Sequence, residues 1–310
     1  MKRLRIITLI AVISGFVSLA CLPSIAETAK TSKTSKVDAL FQKFLKELNQ
    51  LEEKYPSDQH AFFQLRNTVN GMFQEAKSAS SAPGDSQQSF QASLSRLAPG
   101  ADPQSGIDLY VTCKNLRDQP LRQELQRIIS HQYPVGYQQA QDIIFTKLDN
   151  HDGEVECVYT GRKIHTNSEP PATDMNVEHS WPQSQGATGD AKCDLHHLFP
   201  TDSHANNIRG SFPFGKVDRP TWEEGGSKFD GGTFEIRSEQ KGNTARALFY
   251  FSIRYGKQIP NDEEAVLRQW AKEDPPDAGE KDRNDRIENF QHNRNPFIDH
   301  PEYADQIADF

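Results

Sequence analysis

The sequence predicts an α+β domain, mostly helical around a small antiparallel sheet, with a helical extension on its N-terminal side. Three observations lead there. Apolar residues recur at helical spacing in several separate segments. Short alternating segments end abruptly at Gly or Pro. The composition changes near residue 100, from polar and low-complexity to that of a packed domain. A chain of 310 residues is long enough for one large domain or two ordinary ones and can bury a sizeable core. Its hydrophobic fraction of 35% and mean hydropathy of −0.74 exclude a multi-pass membrane protein. A net charge of −8 argues against a simple basic coat protein for nucleic acid.

The N-terminus reads as a leader. Met1 to Arg5 is a positive n-region, Ile6 to Leu22 is an uncharged apolar run, and Ser24-Ile25-Ala26 places small residues before Glu27. That is the plan of a cleaved secretory signal peptide over residues 1–26. The competing processing site is Cys21, in Ser18-Leu19-Ala20-Cys21, which would give a lipoprotein but lacks the aliphatic residue usual three places before the cysteine. Cleavage removes Lys2, Arg3 and Arg5 and leaves a mature chain of net charge −11. Its cysteines are Cys113, Cys157 and Cys193; an oxidising compartment permits one pair and leaves one over. Residues 27–36 form a polar tether. Leu40, Phe41, Phe44, Leu45, Leu48 and Leu51 make one apolar stripe, so Val37 to Tyr55 is expected to be an amphipathic helix. His60 to Ala76 repeats the pattern more weakly, and 78–89 is a linker. Residues 27–100 therefore form a helical accessory region without readable chemistry.

The compact domain follows, over 105–303. Leu121–Gln132 and Tyr137–Leu148 have helical spacing. Gly153–Thr160 alternates and stops at Gly161, as a strand and turn do. Asn176–Trp181 is a second strand, halted by Pro182. Thr201–Arg209 is a short helix that Asp202 or Ser203 can cap and Gly210 can end. Asn243–Tyr255 is apolar enough to be a buried helix. Helices are expected near Asp262–Lys272 and Lys281–Gln291, before an irregular tail at 293–301.

Chemistry concentrates in one stretch. His179, His196, His197 and His204 fall among Glu178, Asp194, Asn206 and Arg209, in the order strand, loop, short helix. A neutral histidine can take a proton from water near neutral pH. Glu and Asn oxygens suit a hard cation. Arg can fork a phosphate. Together they are the parts of a metal-assisted phosphodiester hydrolysis. Adjacent strand residues face opposite sides, so Glu178 and His179 need a bulge or a strand end to serve one site, and Pro182 supplies a reason for an end.

The motifs Asn176-Val177-Glu178-His179-Ser180-Trp181-Pro182, Asp194-Leu195-His196-His197-Leu198-Phe199-Pro200 and Asn206 through Pro213-Phe214-Gly215 occur in order. They are flanked by Cys157-Val158-Tyr159-Thr160-Gly161, Lys241 to Ala247 and Asn293 to Glu302. In these the chain resembles the bacterial endonuclease I family, secreted or periplasmic nucleases with a ββα-metal (His-Me finger) site. The resemblance spans roughly 105–303 and does not cover 27–100. It implies His179 as general base, Glu178 and Asn206 as ligands of one Mg²⁺ (Mn²⁺ or Ca²⁺ as substitutes), and Asn207 as runner-up ligand. The family's phosphate-holding arginine has no clear counterpart, because the only basic residue between His179 and Asp194 is Lys192; Arg209 is the substitute. His196, His197 and Asp194 are expected to be structural, and His204 to lie on the surface.

The resemblance thus implies a secreted or periplasmic, monomeric, metal-dependent endonuclease that cuts DNA, with RNA left open, and has no stable membrane insertion. Little sequence specificity is expected, since no recognition helix or zinc finger is readable. Residues 205–257 carry nine Lys/Arg against six acids, whereas 258–310 carry six against fourteen; a polyanion needs only a local positive track. The alternative is a zinc-binding or nucleic-acid-binding module without catalysis, built on Cys193, His196 and His204. H-E-x-x-H, G-x-S-x-G and phosphate-loop motifs are absent from the sequence.

Overall fold

A computed structural model describes residues 109–130 and 132–310, with isolated helical positions at 42, 45, 46, 48–50, 62 and 66. Apart from those positions, the leader, the tether, the two N-terminal helices and the linker fall outside the described residues. The chain divides into a unit ending at Lys114 and a unit Asn115–Phe310. The second is described here.

It is mixed helix with small antiparallel sheets, as an α+β reading requires. Helix α1 (Asp118–Ile129) buries Leu121, Leu125, Ile128 and Ile129 on one stripe. Helix α2 (Tyr137–Ile143) passes into a π-helical turn, Ile144–Leu148, that keeps Ile144, Phe145 and Leu148 buried. Strands β1 (Asn150–His151), β2 (Glu154–Glu156) and β3 (Lys163–His165) form a small antiparallel sheet. Strands β4 (Met175–His179) and β5 (Leu198–Asp202) pair antiparallel, from Met175 opposite Asp202 to His179 opposite Leu198. Helix α3 (Ser203–Arg209) follows β5 directly.

That strand–loop–strand–helix unit is specified locally. The Asp202 carboxylate accepts the backbone N–H of His204 at 2.9 Å and of Ala205 at 3.1 Å, which satisfies two of the free donors at the start of α3. Gly210 ends the helix at φ +54°, a conformation that costs a Cβ-bearing residue energy. Strand β4 stops at His179, two residues earlier than the sequence suggests, although Ser180 N still donates to His197 O at 3.0 Å.

Strands β6 (Trp222–Glu224), β7 (Ser227–Phe229) and β8 (Phe234–Glu235) add a third small sheet. The centre of the unit is helix α4 (Lys241–Tyr255), buried almost all round, as its apolar sequence predicts. Helix α5 (Asn261–Glu273) packs along it. Helix α6 (Ala278–Gln291) is capped by Asp277, whose carboxylate accepts Glu280 N at 2.7 Å. The tail is more regular than expected. It holds two single-turn helices, α7 (Pro296–Asp299) and α8 (Tyr303–Gln306), and Phe310 stacks on Phe249 at 4.3 Å between ring centroids. No disulfide joins Cys113, Cys157 and Cys193 to one another, so the one pair that an oxidising compartment would permit is not formed among them.

Candidate functional site

The two faces of β4 carry different chemistry. Asn176 and Glu178, two residues apart, look toward α3. Asn206 Nδ2 donates to Asn176 Oδ1 at 2.7 Å, and Arg209 Nη1 lies 3.0 Å from Glu178 Oε1. Asn206 and Arg209 are one helical turn apart, so they share a face of α3 and match the two-residue step of the strand. His179, next along β4, projects to the other side. Its Nε2 lies 3.1 Å from Lys192 O, and its ring is 5.6 Å from that of His197 and 5.7 Å from that of Tyr137, centroid to centroid. The pairing of β4 with β5 is in register through His179, so no bulge turns Glu178 and His179 to one side. The strand end is where they come closest to sharing a site.

The His179 ring is arranged as a base needs to be. Lys192 O can only accept, so Nε2 carries the proton and Nδ1 keeps its lone pair, which faces Gln183 Nε2 at 3.5 Å. Burial, with the neighbouring His197 adding to it, pulls the His179 pKa down to about 3. The imidazole is therefore neutral at ordinary pH. The carbonyl partner belongs to the one-turn helix Gly189–Cys193, and the Lys192 side chain lies over the Tyr137 ring, its Nζ 4.3 Å from the centroid.

Glu178 is 2% exposed. Burial pushes its carboxyl pKa up, against the pull of the Arg209 charge and the Tyr159 hydroxyl beside it. Its Oε1 is buried without a hydrogen-bond partner. Asn206 is half-buried, and its amide nitrogen is the atom bonded to Asn176 and, at 3.5 Å, to Val177 O. The Glu178 carboxylate oxygens and the Asn206 amide oxygen, on neighbouring elements, are of the hard type that Mg²⁺ or Ca²⁺ takes. Asn207, the runner-up, is exposed.

Arg209 is not placed to hold a phosphate. It is 2% exposed. Nη1 donates to His179 O and Gly210 O, both at 3.2 Å, and Nη2 to Ser180 O at 2.8 Å. Its guanidinium instead ties α3 to the end of β4 and faces Glu178. Sequence spacing puts Arg209 on the right side of α3 but says nothing of how deep it sits. The residues beside His179 that sequence reasoning missed are Gln183 and Tyr137. Tyr137 comes from a helix 42 positions earlier in the chain, and no local pattern marks it.

The remaining polar residues of the stretch make contacts within the fold. Asp194 is fully buried and accepts from Tyr250 Oη at 2.8 Å, Tyr255 Oη at 2.7 Å, Gln291 Nε2 at 2.8 Å and His196 N at 3.0 Å. His196 Nε2 lies 3.3 Å from Asn293 O, and His197 Nε2 lies 2.6 Å from Ala191 O. His204 is exposed on α3. Among the described residues no group of three or more His, Cys, Asp or Glu could hold a metal. The zinc alternative through Cys193, His196 and His204 fails on this, since His196 is bonded deep in the core and the Cys193 thiol faces Gly189 O. Arg246 is in a buried ion pair with Glu280. Arg294 is bound to Asp285, Glu288 and Asp299, which locks the tail.

The family model of Endonuclease I matches residues 118–302. The extracellular ribonuclease of Bacillus subtilis (strain 168) is 33% identical over 240 residues, 69% of this chain and 83% of that protein. The extracellular ribonuclease of Bacillus amyloliquefaciens is 34% identical over 70% of this chain and 82% of its own length. An extracellular deoxyribonuclease of Aeromonas hydrophila is 32% identical over 114 residues, 34% of this chain and 48% of that protein. Among the described residues no helix is long and apolar enough to cross a membrane. On these grounds the chain belongs to the endonuclease I family, and it is a nuclease by that kinship.

Proposed function

We propose that the chain is a secreted, Mg²⁺-dependent endonuclease that hydrolyses phosphodiester bonds in both DNA and RNA with little sequence specificity. The observation that carries the reading is the state of His179. It is a neutral imidazole with Nε2–H committed to a carbonyl and Nδ1 left as a base, at the end of the strand that holds Glu178. His179 takes the proton from an attacking water. Glu178 and Asn206 would hold the ion, which supplies Lewis-acid stabilisation of charge on the phosphoryl oxygens when bound. Arg209 keeps Glu178 and the His179–Ser180 backbone in place. The phosphate-facing charge falls to the Lys192 side chain, beside His179.

Water as nucleophile makes a 2′-hydroxyl unnecessary, so the mechanism does not distinguish RNA from DNA at the reacting atoms. The relatives that align over most of their length are named ribonucleases and the partial matches deoxyribonucleases, which favours a site open to both. Export follows the leader read from the sequence and the extracellular or periplasmic names of the relatives.

The test is incubation of the purified mature protein with plasmid DNA, structured RNA and 2′-O-methyl RNA, with Mg²⁺ and with EDTA. Cleavage of DNA and RNA, loss of both in chelator, and cutting of the 2′-O-methyl strand are expected. His179→Ala should lose ~10²–10⁴-fold in turnover, the usual worth of a general base. Full activity in excess chelator, or a His179→Ala protein as fast as wild type, overturns the reading.

A further inference from the structure

His197 is wholly buried and touches both parts of the structure that orient His179. Its backbone carbonyl accepts Ser180 N at 3.0 Å, immediately after His179 on the strand. Its ring Nε2 lies 2.6 Å from Ala191 O, and the next carbonyl along, Lys192 O, is the one on His179 Nε2. Two successive carbonyls of the Gly189–Cys193 turn are thus each held by an imidazole. The two rings meet edge to face, and Phe251 closes the far side of His197 at 4.7 Å.

The bonding of His197 is incomplete in an informative way. Ala191 O can only accept, so Nε2 of His197 bears the proton. Nδ1 is then a bare acceptor, and it is buried without a hydrogen-bond partner. Buried polar atoms are nearly always paired, and an apolar residue of similar shape would avoid the cost of the orphan. What an apolar residue cannot do is hold Ala191 O. Ala191 O also accepts Asp194 N, but only at 3.5 Å, against 2.6 Å to the His197 ring; Asp194 itself is fixed by its tyrosine and glutamine donors.

We propose that His197 is a positioning residue for catalysis: by holding Ala191 O it sets the neighbouring Lys192 carbonyl, and through it the Nε2–H tautomer and ring orientation of His179. The inference rests on the reading of His179 as the base. A tautomer fixed by a second imidazole through adjacent peptide units leaves Nδ1 aimed as an acceptor in every molecule, as second-sphere hydrogen bonds do for functional imidazoles generally.

The test combines ¹⁵N-detected histidine NMR at pH 7.5, in the absence of metal, with steady-state cleavage in its presence. In wild type, both His179 and His197 should show a protonated Nε2 and an unprotonated Nδ1; a His179 that is Nδ1–H or a mixture overturns the proposal without any variant. His197→Gln keeps a donor long enough to reach Ala191 O, whereas His197→Asn is too short and His197→Phe has none. Gln should retain the His179 tautomer and a kcat within about threefold. Asn and Phe should shift His179 to a tautomer mixture and lower kcat about tenfold or more, part of what a misaligned base forfeits, with KM unchanged. Equal behaviour of Gln and Asn in both measurements refutes the positioning role, and the Gln–Asn pair decides the matter if Phe does not fold. Wild-type protein with no cleavage at all would instead break the functional reading, while the spectra would still report on the tautomer.

Discussion

The domain contains two buried arginine–glutamate pairs, and they are finished to different degrees. Arg246 is 1% exposed. It meets Glu280 through two parallel contacts, Nε to Oε1 at 2.8 Å and Nη2 to Oε2 at 2.5 Å. Its remaining donors go to Asp274 O and Asn243 Oδ1. Arg209 and Glu178 are as deeply buried, yet they meet at one contact of 3.0 Å, and Arg209 Nε and Glu178 Oε1 are both buried without hydrogen-bond partners. The first pair joins α4 to α6 and serves the fold. The second lies at the end of β4, beside the candidate base. Low dielectric makes an unpaired buried polar atom costly, and Arg209 Nε, Glu178 Oε1, Tyr159 Oη and His197 Nδ1 are all such atoms, so bonding capacity is left open around the end of β4.

The sharpest way to break this comparison is to neutralise each glutamate. Glu280→Gln leaves Arg246 buried without its counter-charge and should cost about 3–5 kcal/mol of stability, as broken buried pairs do. Below its lowered Tm, it should cleave at nearly the wild-type rate. Glu178→Gln should do the reverse. Arg209 keeps its three carbonyl acceptors, so the loss of stability is smaller, but the carboxylate that would hold the ion is gone. Turnover should fall ~10²–10⁴-fold, equivalent to the several kcal/mol a Lewis acid supplies. The rise in Tm that Mg²⁺ gives the wild type by binding the folded state should disappear. Calorimetry with and without Mg²⁺, beside cleavage rates, reads all of this. An active Glu178→Gln protein whose Tm still responds to Mg²⁺ would end the argument from the unfinished pair.

How far the sequence reveals this contrast depends on the kind of information each part needs. Helix α4 is legible because its residues are apolar on every face. Strand β4 and helix α3 are legible because Pro182, Asp202 and Gly210 mark ends by local chemistry. Glu178, His179 and Asn206 are legible as residue types in a motif. Strands β6 to β8, two or three residues each, are too short to show alternation, and nothing in the sequence reading anticipates them. The π-turn at Ile144–Leu148 preserves the apolar spacing of a helix and so hides in it. The single-turn helices of the tail are set by caps such as Asn295, whose side chain accepts Phe297 N at 3.0 Å, rather than by periodicity. Arg209 sits deeper than its sequence position suggests, for a physical reason. A helical position fixes the direction of a side chain, whereas burial against Glu178 depends on a strand about thirty residues away.

A second, smaller effect sharpens the contrast through the buried imidazoles. Burial, opposed by the Asp194 carboxylate and by backbone acceptors, pulls His196 and His197 down to about 4. The unfolded chain takes up these protons near pH 6.5. Between roughly pH 6.5 and 4 the unfolded state therefore binds more protons than the native state, and stability falls as the pH falls. Each of the two should contribute roughly 3 kcal/mol over that window, from the linkage of pKa to stability. The groups facing them are Asp194, Arg283 and Arg294 around His196, and Asp194 and Arg209 around His197. Tm followed from pH 7 to pH 4 should drop steadily, and because His179, pulled down to about 3, adds its own share, His197→Gln should remove about a third of the slope that the buried imidazoles give. A Tm flat across the window would show that these imidazoles are not held neutral.

The smallest expected effect separates the side chain of one residue from its backbone. Lys192 contributes its carbonyl to His179 and its ammonium to the face beside Tyr137. Lys192→Ala keeps the carbonyl, so the tautomer of His179 and the catalytic step should survive, and kcat should stay within about threefold of wild type. What is lost is one cation next to the reacting phosphate. Loss of a single lysine–phosphate contact weakens binding nearly uniformly across sequences and lowers the salt slope by about one unit. KM should accordingly rise roughly three- to tenfold at low salt and converge on the wild-type value as screening grows. Arg209 should behave differently. Its guanidinium is turned inward to carbonyls and Glu178, so Arg209→Gln should lower kcat and stability while leaving the salt slope as it was. Cleavage rates of the two variants measured from low to moderate ionic strength decide which arginine or lysine faces the substrate. An unchanged salt slope in Lys192→Ala, with a reduced one in Arg209→Gln, would return the phosphate to Arg209 and require the buried pair to open before substrate binds.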